Sequence, residues 1–390
     1  MKPLPHQEQA ANELYKLLKT KGYAYLQGQP RSGKTYTAIL VAEMSKAKNI
    51  LILTKKNAIN GWTKFINLPH ITKKYTVTNY EQASKLKDEY DFIIIDESHN
   101  IGSFPKRSKR NKEIVRLAKN IPHLHLSGTA IVESPASIYH QMHISKYSPF
   151  KCKNFYDFHR KYGIPKSIFI NGREIKDYKH TKPELIDYIN TFTVYITQQD
   201  AGIDIKVKDV LHYIDLDKYI KNLYNKLQRE RVLEDLNYIA DTTMKLRVAL
   251  HQLEGGTLKL DDGTIWKAPI LDKINYIRDN FDLTKRVGIM CHFKAEQDLI
   301  KSMLPEVEVY SSNAHAEGVD LSHLDTFIIY SQDYSGAKHI QRRERIANIN
   351  GSNTTEIHYL LVKRAISEQV YNAVSKKLDF NNSLYEAIEI

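Results

Sequence analysis

Short apolar runs separated by amphipathic stretches mark the first third of the chain. Tyr23–Leu26, Asn49–Thr54 (NILILT), Tyr75–Thr78, Phe92–Asp96 (FIIID) and His123–Ser127 (HLHLS) have the length and bracketing of buried strands. Between them Tyr36–Lys46 carries Ile39, Leu40 and Met44 at helical spacing, and Ala58–Phe65, Glu81–Leu86 and Glu113–Lys119 are amphipathic. Strands alternating with helices predict a parallel sheet covered on both faces, with ligands at the carboxyl ends of its strands. From about residue 131 to about 270 Tyr and Lys rise and helical patterns dominate. Two hairpin turns stand out there, Asn171-Gly172 within SIFINGREI and Asp262-Gly263 within GTLKLDDGTIW. Strand-rich α/β pattern returns over residues 286–366, at Arg286–Cys291, Val307–Ser311, Thr326–Ser331 and Glu356–Val362. The expected fold class is α/β: two parallel-sheet lobes joined through a helical inter-lobe segment.

Length and composition sharpen this picture in few places. A chain of 390 residues holds two domains. Its 42% hydrophobic and 26% charged residues are ordinary for a soluble globular protein, but the formal net charge of +12 points to a polyanionic partner. Cys152 and Cys291 stand far apart and in no metal-ligand spacing, which predicts a reduced, cytoplasmic setting without disulfides or zinc. The start, MKPLPHQEQAANEL, lacks the apolar core of a signal peptide, and no apolar run approaches a bilayer's thickness, so no membrane partner is expected. The 16 histidines form no cluster of metal-binding spacing.

One stretch carries specific chemistry. Gly28-Gln29-Pro30-Arg31-Ser32-Gly33-Lys34-Thr35 reads GxxxxGKT, between a predicted strand and a predicted helix. Successive backbone N–H groups through Arg31, Ser32 and Gly33, and the positive end of the helix, cradle phosphates in such a loop. Lys34 then reaches the β- and γ-phosphates of ATP, and the Thr35 hydroxyl ligates Mg²⁺. Asp96-Glu97-Ser98-His99 closes the FIIID run. There Asp96 completes the metal site, and Glu97 orients or deprotonates the attacking water.

With these motifs in place the sequence resembles the superfamily-two DEAD/DEAH-box helicases over nearly its whole length. Pro5-His6-Gln7 looks like the family's adenine-reading motif, and Ser127-Gly128-Thr129 like the motif that couples hydrolysis to movement. Ala316-Glu317-Gly318-Val319-Asp320 resembles the second lobe's nucleic-acid and coupling motif, and Gln341 to Arg345 the motif that supplies an arginine to the γ-phosphate. ILILTKKNAINGW, VTNYEQ, LSGTAIVESP, LRVALHQLEGG, LDKINYIRDNF and the tail IHYLLVKRAISEQVYNAVSKKLDFN are similar to segments of the Swi/Snf-like branch. The resemblance implies two RecA-like lobes, residues 1–195 with a helical extension from about 131, and residues 196–390 beginning with a helical segment to about 270. ATP and Mg²⁺ would be held at the cleft between them. It assigns coupling roles to His99, Ser127, Thr129 and Gly318, and nucleotide contacts to Gln7, Gly28, Asp320 and Gln341. Compact proteins of this type are common in bacterial viruses, which implies a phage source and a host-cytoplasm location.

The sequence departs from that pattern in three places. The Gly318 motif follows almost directly on Val307–Ser311, so the second lobe is trimmed. Ala130 replaces a proline, and Asn348 stands where relatives carry a second arginine. If register follows Gln341, Arg345 is the first arginine and the second is missing; shifted by a turn, Arg342 and Arg345 form the pair. For the polyanion, Lys106, Arg107, Lys109 and Arg110 in the run Pro105–Lys112, with Lys55 after NILILT, are the expected nucleic-acid contacts. The resemblance therefore implies an ATP-dependent helicase or translocase on single-stranded, duplex or forked DNA, serving replication or recombination with partner proteins of those processes. The alternatives are an ATP-gated DNA-binding switch or loader without processive unwinding, and an RNA helicase.

Overall fold

The structure, a computed structural model, describes residues 2–87, 89–128, 134–170, 173–203, 206–312, 321, 323–334, 339, 343 and 354–386, with side chains of the last helix up to residue 376. The chain divides into two compact units, Met1–Ile203 and Asp204–Ile390.

The first unit is built on six parallel strands. In chain order it runs α1 (Pro5–Lys21), β1 (Tyr23–Gly28), α2 (Lys34–Met44), β2 (Asn49–Thr54), α3 (Ile59–Ile66), β3 (Lys74–Asn79), β4 (Phe92–Ile95), α4 (Lys109–Ala118) and β5 (His123–Ser127). There follow α5 (Ile138–Met142), α6 (Phe155–Tyr162), the antiparallel pair β6 (Lys166–Ile170) and β7 (Arg173–Asp177), α7 (Glu184–Asn190) and β8 (Thr193–Ile196). The strand order is β3-β2-β4-β5-β1-β8. Residues along β2 alternate between two cores, as a strand's period of two requires. Ile50 and Ile52 pack with Leu14, Leu26 and Ile39, while Leu51 and Leu53 pack with Ile93, Ile95, Ile114 and Leu117. Both faces are covered, which is why β1, β4 and β5 are buried throughout. An aromatic core of Tyr25, Tyr139, Phe150, Phe155, Phe158 and Phe192 joins α5, α6 and α7 to the sheet. The register sets Gln27 beside Ser127 and Leu53 beside Ile95, so Gly28, Thr54, Asp96 and Gly128 arrive at one edge.

The second unit has five parallel strands in the order β15-β14-β16-β17-β9. Its elements are β9 (Lys206–Tyr213), α8 (Lys218–Glu230), β10 (Val232–Leu233), β11 (Tyr238–Ile239), α9 (Thr243–Glu254), β12 (Thr257–Lys259), β13 (Ile265–Lys267) and α10 (Asp272–Asn280). Then come β14 (Val287–Cys291), α11 (Lys294–Met303), β15 (Glu308–Ser311), β16 (Thr326–Ile329), β17 (Thr354–Leu361) and α12 (Ile366–Glu386). β12 and β13 flank the Asp262-Gly263 turn as the sequence predicts. Where the pattern leads one to expect helix from 196 to about 270, the unit opens instead on β9, an edge strand paired with β17 along eight residues. One face of β9 is exposed, so it shows alternation rather than an apolar run and lacks the signal of its buried partners. Glu81–Leu86 forms a 3-10 turn, not an α-helix.

Glu254, Lys273 and Glu296 are charged side chains buried inside the second unit. Glu254 accepts from the backbone N–H of Ile366 at 2.8 Å and so caps α12. Lys273 donates to the Tyr330 carbonyl at 2.8 Å. Glu296 accepts from the Ser331 hydroxyl, and its Oε1 has no hydrogen-bond partner among the described residues. Among the described residues no helix is long and apolar enough to cross a membrane.

Candidate active site

The loop from Gly28 to Thr35 joins buried β1 to α2 with two residues in the left-handed region, Arg31 at φ 66° and Gly33 at φ 87°. Such turns point successive N–H groups into a concavity, and the first turn of α2 adds its own. Glycine is required twice. A Cβ at Gly28 would stand 2.5 Å from Lys34 Cγ, and one at Gly33 would stand 2.0 Å from Gln7 Nε2. Gln7 therefore lies against the loop, where its Oε1 accepts from Leu4 N at 2.9 Å, and His6 Nε2 meets the Ser32 carbonyl at 3.0 Å. Lys34 Nζ donates to the carbonyls of Gly28 at 2.6 Å and Gln29 at 3.1 Å, which holds the ammonium over the loop. Gln198, just past β8, clamps the other side: its N–H donates to Gln29 Oε1 at 2.6 Å and its side chain to the Pro30 carbonyl at 3.1 Å. Nothing in the local sequence marks Gln198, because its role depends on β8 lying beside β1.

Asp96 and Glu97 leave β4 at the same edge. Asp96 Oδ2 accepts from Thr54 Oγ1 at 2.7 Å and Trp62 Nε1 at 2.9 Å, and the Tyr80 hydroxyl donates to its carbonyl. Burial and the adjacent Glu97 charge push the Asp96 carboxyl up, against those two hydrogen bonds and the charge of Lys34. Glu97 takes φ 51°, a strained value for a residue with a side chain, and it re-aims the carboxylate as the strand ends. Burial alone would raise Glu97, but His99, Lys34 and Lys55 outweigh it and hold the carboxyl low.

His99 connects two motifs. Its Nδ1 lies 2.8 Å from Ser127 Oγ and 3.2 Å from Glu97 Oε2. Asn100 Nδ2 donates to the Glu97 carbonyl at 2.8 Å and faces His99 Nε2 at 3.2 Å. An amide N–H can only donate, so the network assigns the imidazole proton to Nδ1. That proton goes to Ser127, so the contact with Glu97 is electrostatic rather than a formed hydrogen bond.

The expected nucleic-acid residues separate into two sets. Lys106 and Lys109 are exposed. Arg107 is not a free cation: it donates to Asn111 Oδ1 at 2.5 Å and to the His143 carbonyl at 2.6 Å, tying α4 to α5. Arg110 donates to Glu81 Oε1 at 2.8 Å and its guanidinium lies 5.1 Å from the Tyr80 ring centre. A run of like charge reads as one surface in sequence, whereas the fold turns alternate members inward. Thr129, Gly318, Asp320, Gln341, Arg342 and Arg345 lie outside the described residues. Arg343, which is described, pairs with Asp209 on β9 and donates to the Val207 carbonyl at 3.1 Å.

The residues at this edge fit a nucleoside triphosphate with its cation. Ser32 Oγ is buried without a hydrogen-bond partner among the described residues, and Thr35 and Asp96 are hard oxygen donors of the kind Mg²⁺ takes. A cavity of about 600 Å³ lies elsewhere, at the amino-terminal edge of the sheet, lined by residues such as Tyr15, Lys48, Asp91 and Phe92. It contains none of the motif residues, and a phosphate cradle made of backbone does not need an apolar pocket.

The profile of the SNF2-related domain family matches residues 25–255, more than half of the chain. The chain belongs to the SNF2-related family. No curated protein sequence matches it significantly. Among solved structures, the Hef helicase domain of Pyrococcus furiosus is similar over 95% of this chain and 97% of that one, with a TM-score of 0.53 and 13% identity. That likeness is one of fold, and it accords with two RecA-like lobes. The SWI2/SNF2 ATPase core domain of Sulfolobus solfataricus aligns over 100% of this chain and 91% of that one, at 16% identity and a TM-score of 0.43. The phosphate loop and the Asp96–His99 turn both lie inside the SNF2-related match.

Proposed function

We propose that the chain is a nucleic-acid-stimulated ATPase that moves along DNA. The observation that carries this reading is the junction at His99, where the water-activating carboxylate and the Ser127 motif meet through one imidazole. A change in Ser127-Gly128 on binding a strand can thereby alter what surrounds Glu97. Lys34 and the loop N–H groups hold the phosphates, Thr35 and Asp96 hold Mg²⁺, Gln7 contacts the base, and Glu97 positions water for attack. Mg²⁺, when bound, neutralises charge on the phosphate oxygens. Trp62 and Thr54 keep the Asp96 carboxylate oriented, and Gln198 keeps the loop from shifting. An arginine from Gln341–Arg345, with Arg345 common to both registers, supplies further positive charge during hydrolysis. DNA rather than RNA, and a role in phage replication or recombination, rest on the resemblance to the Swi/Snf-like branch.

The test is ATP turnover measured with single-stranded, duplex and forked DNA and with RNA, alongside displacement of a labelled strand. Stimulation by DNA above RNA is expected. Turnover indifferent to every nucleic acid would overturn the reading, and stimulation without displacement would assign translocation rather than unwinding.

A further inference from the structure

The pair β6–β7 belongs to neither large sheet. Its foot is anchored: Ile164 N donates to the His180 carbonyl at 2.9 Å and Lys182 N to the Tyr162 carbonyl at 2.7 Å, beside the buried rings of Phe155 and Phe158. Beyond that anchor the strands carry large apolar side chains into water. Phe169 is 76% exposed, and Ile168 and Ile175, directly opposite one another, are each 45% exposed. Ile168 and Ile175 share one face and Phe169 stands on the other, with Ser167 and Lys176, and exposed apolar residues on a projecting element mark a contact surface. At the foot lies a groove of about 420 Å³ whose lining includes Tyr156, His159, Arg160, Lys166, Lys176 and Tyr178. The Tyr156 and Tyr178 rings meet edge-on with centroids 5.8 Å apart, and Tyr156 is 47% exposed. From Arg160 to Lys182 there are seven Lys and Arg residues against two acids, Glu174 and Asp177, a formal +5.

Exposed aromatic faces interleaved with cations suit a polyanion that shows flat apolar faces. An unpaired nucleic-acid strand has both features, whereas a duplex hides its bases. We propose that this hairpin and the groove at its foot form a binding site for an unpaired strand, outside the nucleotide site. One base lies against Tyr156 and Tyr178, its phosphates face Arg160, Lys166 and Lys176, and Phe169 takes a further base. Lys176 pairs with Ser167, two residues from Phe169 and on the same face of the pair, so Lys176 and Phe169 stand about 7 Å apart along it, room for successive nucleotides of an extended strand.

The test uses the full chain without nucleotide and a short labelled oligothymidine, with oligouridine of equal length and a blunt duplex as the other arms. Tyr156→Ala and Phe169→Ala should each weaken single-strand binding about fivefold or more and leave duplex binding unchanged. Tyr156→Phe, which keeps the ring, should restore it. Lys166→Gln with Lys176→Gln should flatten the slope of log affinity against log salt by about 1.4. Equal losses on both oligomers assign stacking and phosphate contacts as the shared basis, and a loss confined to one assigns recognition of the sugar. Wild-type single-strand affinity in the two alanine variants, or an equal loss on duplex, would overturn the proposal. Basal turnover should stay unchanged in every variant, so failure here leaves the ATPase reading standing.

Discussion

Glu97 and Lys34 illustrate how two charges in one site take different parts of a reaction. Lys34 is pinned over the loop by two carbonyls, so in the proposed function its ammonium would act on ground-state phosphate charge. Glu97 is aimed by a left-handed backbone and kept ionised by its cationic surroundings, so in the proposed function it would act on water only as reaction begins. Interactions present in both ground and transition states set affinity, and those present only in the latter set rate. Lys34→Ala should therefore lose both ATP affinity and turnover. Glu97→Gln should bind ATP as the native chain does, with turnover down by about a hundredfold or more. Equilibrium binding of a fluorescent ATP analogue and a phosphate-release assay check both, and substantial turnover in Glu97→Gln would remove that residue from its role. Of this site the loop and the acids were legible in the sequence, because their chemistry demands fixed residue types at fixed spacing. Thr54, Trp62, Tyr80 and Gln198 were not, since each is an ordinary residue made functional by the strand it sits beside.

At the level of elements, α4 and the run before it test what a charge cluster means once folded. Arg107 makes three hydrogen bonds, to Asn111 and His143, and is half-buried, whereas Lys106 and Lys109 stand in water. Arg107→Ala should cost about 1–3 kcal/mol of stability, because it leaves buried acceptors unpaired. Lys106→Gln with Lys109→Gln should leave stability unchanged and flatten the salt slope of duplex binding by about 1.8 if both reach phosphates. Urea unfolding and a salt titration of binding separate the two, and a full slope in the lysine variant would make the run a plain solvated face. The same distinction explains what the sequence disclosed of the fold. β5, HLHLS, is buried with His123, His125 and Ser127 alternating with its leucines, while β2 and β4 read off directly, as NILILT and FIII, because strands covered on both faces are near-continuous apolar runs. β9 did not, because an edge strand with one wet face has no such run. α1 gives a weak signal for a similar reason: its buried side is narrow, Gln7, Ala10, Ala11 and Leu14.

For the molecule as a whole, each unit has its own sheet and its own apolar cores, with Leu14, Leu26 and Ile94 in the first and Ile274, Ile289 and Ile328 in the second. Stability should then respond to different agents in each. ATP with Mg²⁺ acts on the first unit, through the Gly28–Thr35 loop, while pH acts on the second through Glu296. Burial drives the Glu296 carboxyl from its ordinary 4.5 up to about 7, against the Ser331 hydrogen bond and the charge of Lys273, with Glu254 adding to the rise. Cys291 and Tyr330 also face it. Between those two pH values the folded unit holds a proton that the unfolded chain has released. Its stability therefore falls as pH rises from about 4.5 to about 7, and the loss is complete above that. A shift of this size is worth roughly 3 kcal/mol, or a melting shift of roughly 5–10 °C for a unit of this length. Calorimetry from pH 5 to pH 8, with and without a non-hydrolysable ATP analogue, should show one transition raised by nucleotide and another that carries the Glu296 fall with pH, set against the rise that His251, His212 and His358, lowered by burial, contribute. Glu296→Gln, which cannot ionise yet still accepts from Ser331, should remove that fall from the second and leave the first alone. If the variant kept the native pH slope, the dependence would have to come from Glu254, whose carboxyl burial also raises, and a Glu254→Gln chain measured in the same way would show it; Lys273, lowered by burial, gives the opposite slope.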